Sequence, residues 1–391
     1  MKVVFITSSH YLDTAVPLIN ALLKYLDVTV IVNCLKEEKK IFFPPRNFDL
    51  KRTSIIEVSS DEVKNLPGYA GLLKEGGKKL KVAFVFFKNF KVLSLSAWMS
   101  MYKIKKYFSD AEFIHVQSLT AHNYFTVNKN HNKKIIVDIH DVIQHSGCKL
   151  SFWSKFIVNK WFSLADEIII HNSTGVDYME NVLKLSKTKI NVLPFGLILL
   201  TAKQIKPDAC SDKPTILFFG RICLYKGIEY LIEAISVVKK EVSNLRVIIA
   251  GKGKYDFGIS KIKNDVTYEI INHYIPNEQL EALINRSTIV VCPYTDATQS
   301  GVLMTALAFN KPVVATNVGG VPEVIEDEIT GRLVPPKDSQ QLAKALIDLL
   351  ANPKKRDKIS ENIKKKFSQE NFSWDYVARK TIDVYEKANN K

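Results

Sequence analysis

No cysteine pair at C-x-x-C spacing occurs in this 391-residue chain, and the cysteines number an odd five, at 34, 148, 210, 223 and 292. That disfavours a disulfide scaffold and a cysteine-built zinc site, and free thiols in a reducing cytosol are the simplest account. Long apolar runs are also missing. None approaches the about 18 residues that a spanning helix needs. Met1-Lys2 leads straight into the strand-length run Val3–Thr7, too short for the apolar stretch of a secretory leader, so none is expected. No G-x-G-x-x-G follows that first run, and no G-x-x-x-x-G-K-[ST] is present. A dinucleotide fingerprint there and a P-loop are thereby disfavoured. There is no D-x-D pair and no His/Cys cluster at metal spacing, so no metal site is expected.

Acidic residues are in short supply. The chain has 40 Asp and Glu against 55 Lys and Arg, a formal net charge of +15. Much of the excess is local: Lys74–Lys106 carries nine lysines and one acid, Glu75, interleaved with Val82–Phe87 and Trp98-Met99. A basic segment bearing aromatics suits an anionic membrane surface or a lipid-linked acceptor. A solvated lysine-rich face explains it equally well. Nucleic acid is not expected, because no reader motif accompanies the charge.

What is present is a soluble-type composition, 46% hydrophobic and 24% charged, at a length that suits two domains. Strand-like runs alternate with helical periods, the pattern of parallel α/β architecture. Expected strands in the first half are Lys2–Thr7, Val28–Val32, Phe113–Val116, Lys134–Ile139, Glu167–His171 and Lys189–Leu193. Helical patterns run over Asp13–Tyr25 and Asn172–Leu185. Lys36–Leu80 reads as a loop-rich excursion with one strand near Ser54–Val58. Leu199–Pro214 has little periodicity and reads as a linker. The second half restarts with strands at Thr215–Phe219, Leu245–Ala250, Val266–Ile271, Thr288–Cys292 and Pro312–Thr316. Helices are expected near Gly227–Glu241, Asn277–Arg286, Gly301–Phe309, Val321–Glu326 and Ser339–Ala351, the last with a capping-box start at Asp338 and a stop at Asn352-Pro353. Two α/β halves imply a cleft between them.

Several strand ends of the second half carry chemistry-bearing residues. Gly220-Arg221 follows one strand, and Lys226-Gly227 precedes its helix. In open α/β sheets ligands bind at that edge. A planar guanidinium and a point-charge ammonium suit a doubly charged anion such as a diphosphate, although such residues also occur as plain surface charges. Gly251-Lys252-Gly253 ends a second strand, where a plain tight turn is the simpler reading and close approach of a ligand the other. Gln299-Ser300-Gly301-Val302 opens a helix whose free N–H groups can bind an anion; Ser300 serves equally as a mere N-cap. Asn317–Glu323 gives a fourth strand end. In the first half His140, in Asp138-Ile139-His140-Asp141, stands at a strand end, where it can touch a sugar hydroxyl or a reacting carbon, or simply pack.

Together the segments FFGRICLYKGIEYLIEA, VIIAGKG, VVCPY, QSGVLMTALAFNKPVVATNVGGVPEVI and PPKDSQQLAKALIDLL resemble family 4 glycosyltransferases. VDIHD, ADEIIIHNST and INVLPFG extend the resemblance into the first half. It implies two Rossmann-like domains (the GT-B fold), 1–198 for the acceptor and 199–373 for the donor, with a final helix, 374–391, crossing back to the first. It implies a retaining transferase that uses a nucleotide-sugar co-substrate, a UDP- or GDP-sugar, with no cofactor and no required metal. The acceptor would be a glycan or lipid-linked molecule, and the location cytoplasmic or peripheral at the inner membrane face. Arg221 and Lys226 match the pair that holds the diphosphate. Gln299, Ser300 and Gly301 match the helix start facing it. His140 matches the histidine near the transferred sugar, and Gly251 to Gly253 the loop near the nucleotide. Ala297 and Thr305 stand where the family usually carries two glutamates; Asp296, one residue early, would replace the first, and the Thr305 hydroxyl the second. Ser8–Tyr11 stands where many members have a glycine pair. These departures support a rival reading, a non-catalytic GT-B subunit that binds a partner or membrane. An epimerase-hydrolase or phosphorylase on the same fold, and a dinucleotide oxidoreductase, are further rivals.

Overall fold

The computed structural model describes residues 1–35, 55–58, 79–87, 102–128, 132–142, 151–200, 213–253, 262 and 264–391. The first half builds an eight-stranded sheet from β1 (Lys2–Ser8), β2 (Asp27–Leu35), β3 (Ile55–Val58), β4 (Leu80–Phe87), β5 (Phe113–Val116), β6 (Lys134–Ile139), β7 (Glu167–Ile170) and β8 (Ile190–Val192). Its order is β3-β4-β2-β1-β5-β6-β7-β8, parallel except for β3 against β4. The second half builds a six-stranded parallel sheet in the order β11-β10-β9-β12-β13-β14. Its strands are β9 (Thr215–Phe219), β10 (Arg246–Ala250), β11 (Tyr268–Ile271), β12 (Ile289–Cys292), β13 (Val313–Thr316) and β14 (Arg332–Val334). The inner strands β9, β10, β12 and β13 are short, mostly β-branched runs buried on both faces, as parallel strands covered by helices must be. Phe219 pairs with Ala250, which pairs with Ile271, so the strand ends lie level along one edge.

Helix α1 (Leu12–Leu22) covers one face of the first sheet. The other face carries α2 (Ala121–Asn128), α3 (Phe152–Leu164) and α4 (Thr174–Asn181), with Phe108 and Trp161 buried between helix and sheet. The second sheet is flanked by α5 (Ile228–Glu241), α6 (Asn277–Arg286), α7 (Gly301–Ala308), α8 (Val321–Val324), α9 (Ser339–Ala351) and α10 (Pro353–Phe367). Asp338 caps α9, accepting from the N–H groups of Gln340 and Gln341 at 3.1 and 2.9 Å.

The last helix, α11 (Trp374–Asn389), packs on the first sheet as the resemblance implied. Val377, Ala378, Val384, Tyr385 and Ala388 join the core around Phe5 and Phe84. At its start Asp375 accepts from Lys24 at 3.0 Å and from the Tyr25 hydroxyl at 3.1 Å. At its end Lys387 and Lys391 reach Glu167, which is fully buried at the start of β7. Burial pushes that carboxyl up, but the hydrogen bonds from Lys391, Asn191 and Lys387 outweigh it and leave it below the usual range.

Three elements differ from expectation. Leu80–Phe87 is an interior strand of the first sheet, with Val82 to Phe87 all buried, so this run of the Lys74–Lys106 segment is sheet core and not a surface aromatic patch, while Trp98-Met99 lie outside the described residues. Lysines at its flanks had masked the strand. Pro353–Phe367 is a helix: Pro353 does end α9, but it also occupies the first turn of the next helix, where its missing N–H costs nothing. Arg332–Val334 adds a short edge strand. The other expected strands and helices form within a few residues of their sequence bounds, although Asn172–Leu185 yields only the shorter α4. Most of the expected linker, 201–212, and much of Lys36–Leu80 and Lys74–Lys106 lie outside the described residues.

The passage out of the first sheet is sterically exacting at Gly196. A Cβ there would lie 2.5 Å from the Trp374 indole, whose Nε1–H donates to the Leu197 carbonyl at 2.7 Å. Gly196→Ala is therefore expected to destabilise the protein by about 1–3 kcal/mol, the usual range for overpacking. Urea unfolding checks this, and an unchanged midpoint would show that the indole yields freely.

Candidate functional site

The facing edges of the two sheets carry the site. On the second sheet its frame is a set of strand-end loops packed backbone against backbone. Gly251 has φ +151°, and a Cβ on it would fall 1.7 Å from the Gly220 carbonyl oxygen. Ile222 N–H donates to the Lys252 carbonyl at 3.1 Å, and Ile222 bridges to Gly253. The glycines of the Gly251–Gly253 turn thus serve loop-on-loop packing, which favours the turn reading of the sequence. Lys252 itself is exposed. Gly227, at φ +62°, lets the start of α5 approach the Pro293 carbonyl, which a Cβ would meet at 1.9 Å.

That frame fixes the two cations differently. Arg221 is exposed just past β9. Lys226 is only 7% exposed, in the short turn Leu224–Lys226 before α5. Its Nζ lies 3.7 Å from the centroid of the Tyr294 ring and 5.0 Å from that of Tyr225. The Tyr294 hydroxyl in turn meets Ser300 Oγ at 3.2 Å, which ties the lysine to the start of α7. Burial is the main force on the ammonium; Cys292, Cys223 and Asp141 oppose it, and the lysine pKa falls from 10.5 to about 8. A buried, weakly hydrated cation gains most from an arriving anion.

Ser300 caps α7, its Oγ accepting from Leu303 N–H at 3.2 Å, so the capping role expected of it is real. The first N–H groups of α7, those of Gly301 and Val302, have no partner within the helix by geometry and point at the same edge. Val302 packs over Gly220, where a Cβ would meet its Cγ2 at 2.9 Å. Thr305 is buried and spends its hydroxyl proton on the Gly301 carbonyl at 2.8 Å, leaving only acceptor capacity for a ligand. Asp296 is half-buried in the loop between β12 and α7, beside the buried Ala297.

The first sheet contributes His140, placed by β6. It is buried and stacked on Tyr11 at 4.8 Å and 13°. Its Nδ1 lies 3.4 Å from Gln299 Nε2, across the cleft. Burial lowers its pKa most; Asp138 and Asp141 pull it up and His171 pushes it down, and it settles at about 4, so the ring is neutral at pH 7. With Nδ1 accepting from Gln299, the proton sits on Nε2. Among the described residues His140 Nε2 and Gln299 Oε1 are both buried without a hydrogen-bond partner. Two orphaned polar atoms at one cleft are costly unless a ligand meets them. A second contact, from the Thr298 hydroxyl to Asp141, also crosses the cleft. A third is Glu323, which accepts from Ser173 N–H at 2.9 Å and from its hydroxyl at 2.8 Å.

Beneath His140 lies a buried network that sequence spacing hid. Asp138 accepts from His115 Nε2 at 3.2 Å, Gln117 Nε2 at 2.9 Å and His171 Nε2 at 2.9 Å. His115 Nδ1 meets the Tyr385 hydroxyl of α11 at 2.8 Å. Burial pushes the Asp138 carboxyl up, but His171, His115 and His140 outweigh it and hold it well below the usual range. Asp138, His140 and His171 bring their ligand atoms within 4.8 Å of one another, a proximity no local motif announced. Asp138 already accepts three hydrogen bonds, and both His171 nitrogens face oxygens, the other being the Leu193 carbonyl at 3.3 Å. Hydrogen bonding therefore accounts for the cluster without an ion. Tyr11, which the sequence reading placed only within the Ser8–Tyr11 loop, is the other residue given no role there. Its one signal was its place just past the end of β1.

Lys226 yields a sign-definite test. Its folded-state pKa lies below its unfolded value, so the buried charge costs stability below about pH 8, and that cost is relieved as pH rises from 8 towards 10.5. Lys226→Met should raise stability at pH 7 by about 1–3 kcal/mol while abolishing binding of inorganic pyrophosphate. In the unsubstituted protein pyrophosphate affinity should fall as pH rises through 8. Thermal melts and titration calorimetry decide both; a less stable methionine variant would show that the ammonium is better solvated than its burial indicates.

Residues 201–366 match the family model of glycosyl transferases group 1. An uncharacterised glycosyltransferase of Methanocaldococcus jannaschii is 33% identical over 45% of this chain and 46% of its own length. The alpha-maltose-1-phosphate synthase of Mycobacterium tuberculosis is 26% identical over 68% of this chain and 78% of its own. The chain spans under half the length of the first curated relatives it matches. Among solved structures, Anabaena HepE in complex with UDP-glucose shares the fold, with a TM-score of 0.70 over 100% of both chains at 15% identity. The chain has the GT-B architecture, and its residues 201–366 are similar to the glycosyl transferases group 1 family.

Proposed function

We propose that this chain is a retaining glycosyltransferase that moves a hexose-type sugar from a UDP- or GDP-sugar to a glycan or lipid-linked acceptor, in surface polysaccharide or glycolipid biosynthesis. The observation that carries the reading is the cleft itself. It has two cations and a helix start on one wall, and a neutral histidine with an unpaired Nε2 on the other. The HepE complex, on the same fold, supports a nucleotide-sugar donor.

Arg221, Lys226 and the N–H groups of Gly301 and Val302 would hold the donor diphosphate and take up charge as it departs. The bond between the sugar anomeric carbon and the β-phosphate oxygen breaks. The acceptor hydroxyl oxygen bonds that carbon on the same face, and its proton passes to the leaving phosphate oxygen. No side-chain base and no metal is required for that balance. His140 Nε2–H and Gln299 Oε1 would fix hydroxyls of the transferred sugar. Asp296 and the Thr305 hydroxyl oxygen remain candidates for the donor sugar and ribose, with Gly220 and the Gly251–Gly253 turn beside the nucleotide.

The missing glutamates at Ala297 and Thr305 favour the rival of a non-catalytic subunit. The orphaned buried atoms at His140 and Gln299 weigh against it, since a mere scaffold has no use for them. No helix among the described residues is long and apolar enough to cross a membrane. A cytoplasmic location, peripheral at the inner face of the membrane, is part of the proposal. An anionic membrane surface met through Lys74–Lys106 is part of the proposal, carried by its lysines without the buried Val82–Phe87.

A thermal-shift panel of UDP, GDP, ADP, their sugar conjugates and NAD tests the reading. One nucleotide family should raise the melting temperature of the unsubstituted protein and leave Arg221→Ala unmoved. His140→Ala should keep that shift and lose about 100-fold or more in turnover. A shift without turnover under any acceptor would favour the subunit, and a shift with NAD alone would end the proposal.

A further inference from the structure

Helix α3 buries Trp161 and Phe162 near its end and exposes its first turn. Trp161 and Phe162 are buried against the sheet, the Trp161 indole N–H reaching the Thr120 carbonyl at 3.3 Å. Phe152, Trp153 and Phe156 are instead 79%, 72% and 44% exposed. Their rings pack against one another, with centroids 6.1 Å apart for Phe152–Trp153 and 6.2 Å for Trp153–Phe156. Three large rings in little more than one helical turn form a contiguous apolar patch, a costly thing to leave in water. Lys155 and Lys160 flank it, Lys160 Nζ lying 5.4 Å from the Phe156 centroid, and the helix contains no acidic residue.

We infer that the first turns of α3 are a docking surface for an anionic lipid bilayer. The charge pattern selects this occupant. Protein interfaces deplete lysine around their aromatic cores, whereas aromatic rings edged by lysines fit the headgroup region of a charged leaflet. A chain of net charge +15 adds attraction over a distance of about a Debye length. The place fits as well. Thirteen helical residues and six strand residues each span about 20 Å, so the start of α3 is level with the end of β6, where His140 stands. A bilayer met there lies beside the cleft edge. This surface is independent of the transferase reading, because lipid binding needs neither donor nor turnover.

The test is co-sedimentation of the full chain with vesicles of phosphatidylcholine alone and of phosphatidylcholine mixed with phosphatidylglycerol. Binding to the mixed vesicles only is expected, and it should weaken with salt. Replacing Phe152, Trp153 and Phe156 by Ser together should cut that binding about tenfold or more at an unchanged melting temperature, and Lys155→Glu with Lys160→Glu should cut it too. Absence of binding by the unsubstituted protein overturns the inference. So does equal binding by the triple-Ser variant, which would place the contact elsewhere. Light scattering that shows a dimer abolished by the same three changes, with no lipid binding, would assign the patch to a second copy of the chain and overturn it equally.

Discussion

The arrangement of the first domain turns on one buried negative charge. Asp138 sits at the end of a central strand with 1% exposure, where an uncompensated carboxylate would cost several kcal/mol. Its compensation comes from four directions. His115 belongs to β5, Gln117 to the loop after it, His171 to the segment after β7, and Tyr385, behind His115, to the last helix of the chain. Thr7, at the end of β1, donates to Gln117 at 3.1 Å. Four adjacent strand ends and α11 are therefore held in one hydrogen-bonded unit directly beneath His140. Because removal of any one partner leaves a buried charge short, the unit resists partial loosening. The crossing helix is thus part of the floor of the site as well as a cover for the apolar face.

The same buried field sets the chemistry above it. Burial and the positive side of the network keep His140 neutral, so it presents one fixed N–H and no charge. A cationic histidine there would put positive charge on both walls of the cleft. The positive charge stands on the opposite wall, where Lys226 is kept in partial desolvation by two tyrosine rings. That lysine is held at a cost in stability, as groups poised to meet a ligand often are. The glycines around it are explained by neighbouring backbone and not by ligand: Gly251 makes room for the Gly220 carbonyl and Gly227 for that of Pro293. Tight loop-on-loop packing is what makes a short lysine turn rigid enough to aim a charge.

Legibility in the sequence followed distance along the chain. Arg221, Lys226, Ser300 and Gly301 lie within a few residues of strand-to-helix switches, and a switch in hydrophobic period is a local signal, so these positions could be placed from sequence. Ser300 could even be read as a cap. Leu80–Phe87 could not, because lysines at its borders gave it the composition of a surface segment while its interior is as buried as any strand. Pro353 hid a helix start behind a helix stop, since proline serves both. The Asp138 network was invisible for a different reason. Gln117, His115 and His171 lie 21, 23 and 33 positions from Asp138, and Tyr385 lies 270 from His115, and only the parallel register of β5, β6 and β7 and the crossing of α11 bring them together. Tyr11, in the Ser8–Tyr11 loop that stands where family members carry a glycine pair, gains its meaning from the ring stacked on it.

The contacts across the cleft converge on one short loop, and this has a mechanical consequence. Thr298 reaches Asp141 and Gln299 reaches His140, while the carbonyls of Ala297 and Thr298 back directly onto Gly319 and Gly320. The Gly320 N–H donates to the Thr298 carbonyl at 3.1 Å, and two residues beyond Val321 the Glu323 carboxylate grips Ser173. The loop that leads into the anion-facing helix start is thus clamped from behind by its own domain and from in front by the other. Moving the domains apart would break the His140–Gln299 contact and the Glu323–Ser173 grip together. A ligand held by the second domain alone would then face a wall lacking the histidine. Contacts realised only when both walls meet are the ones that can favour a transition state over a bound substrate, and they also keep water from a half-assembled site.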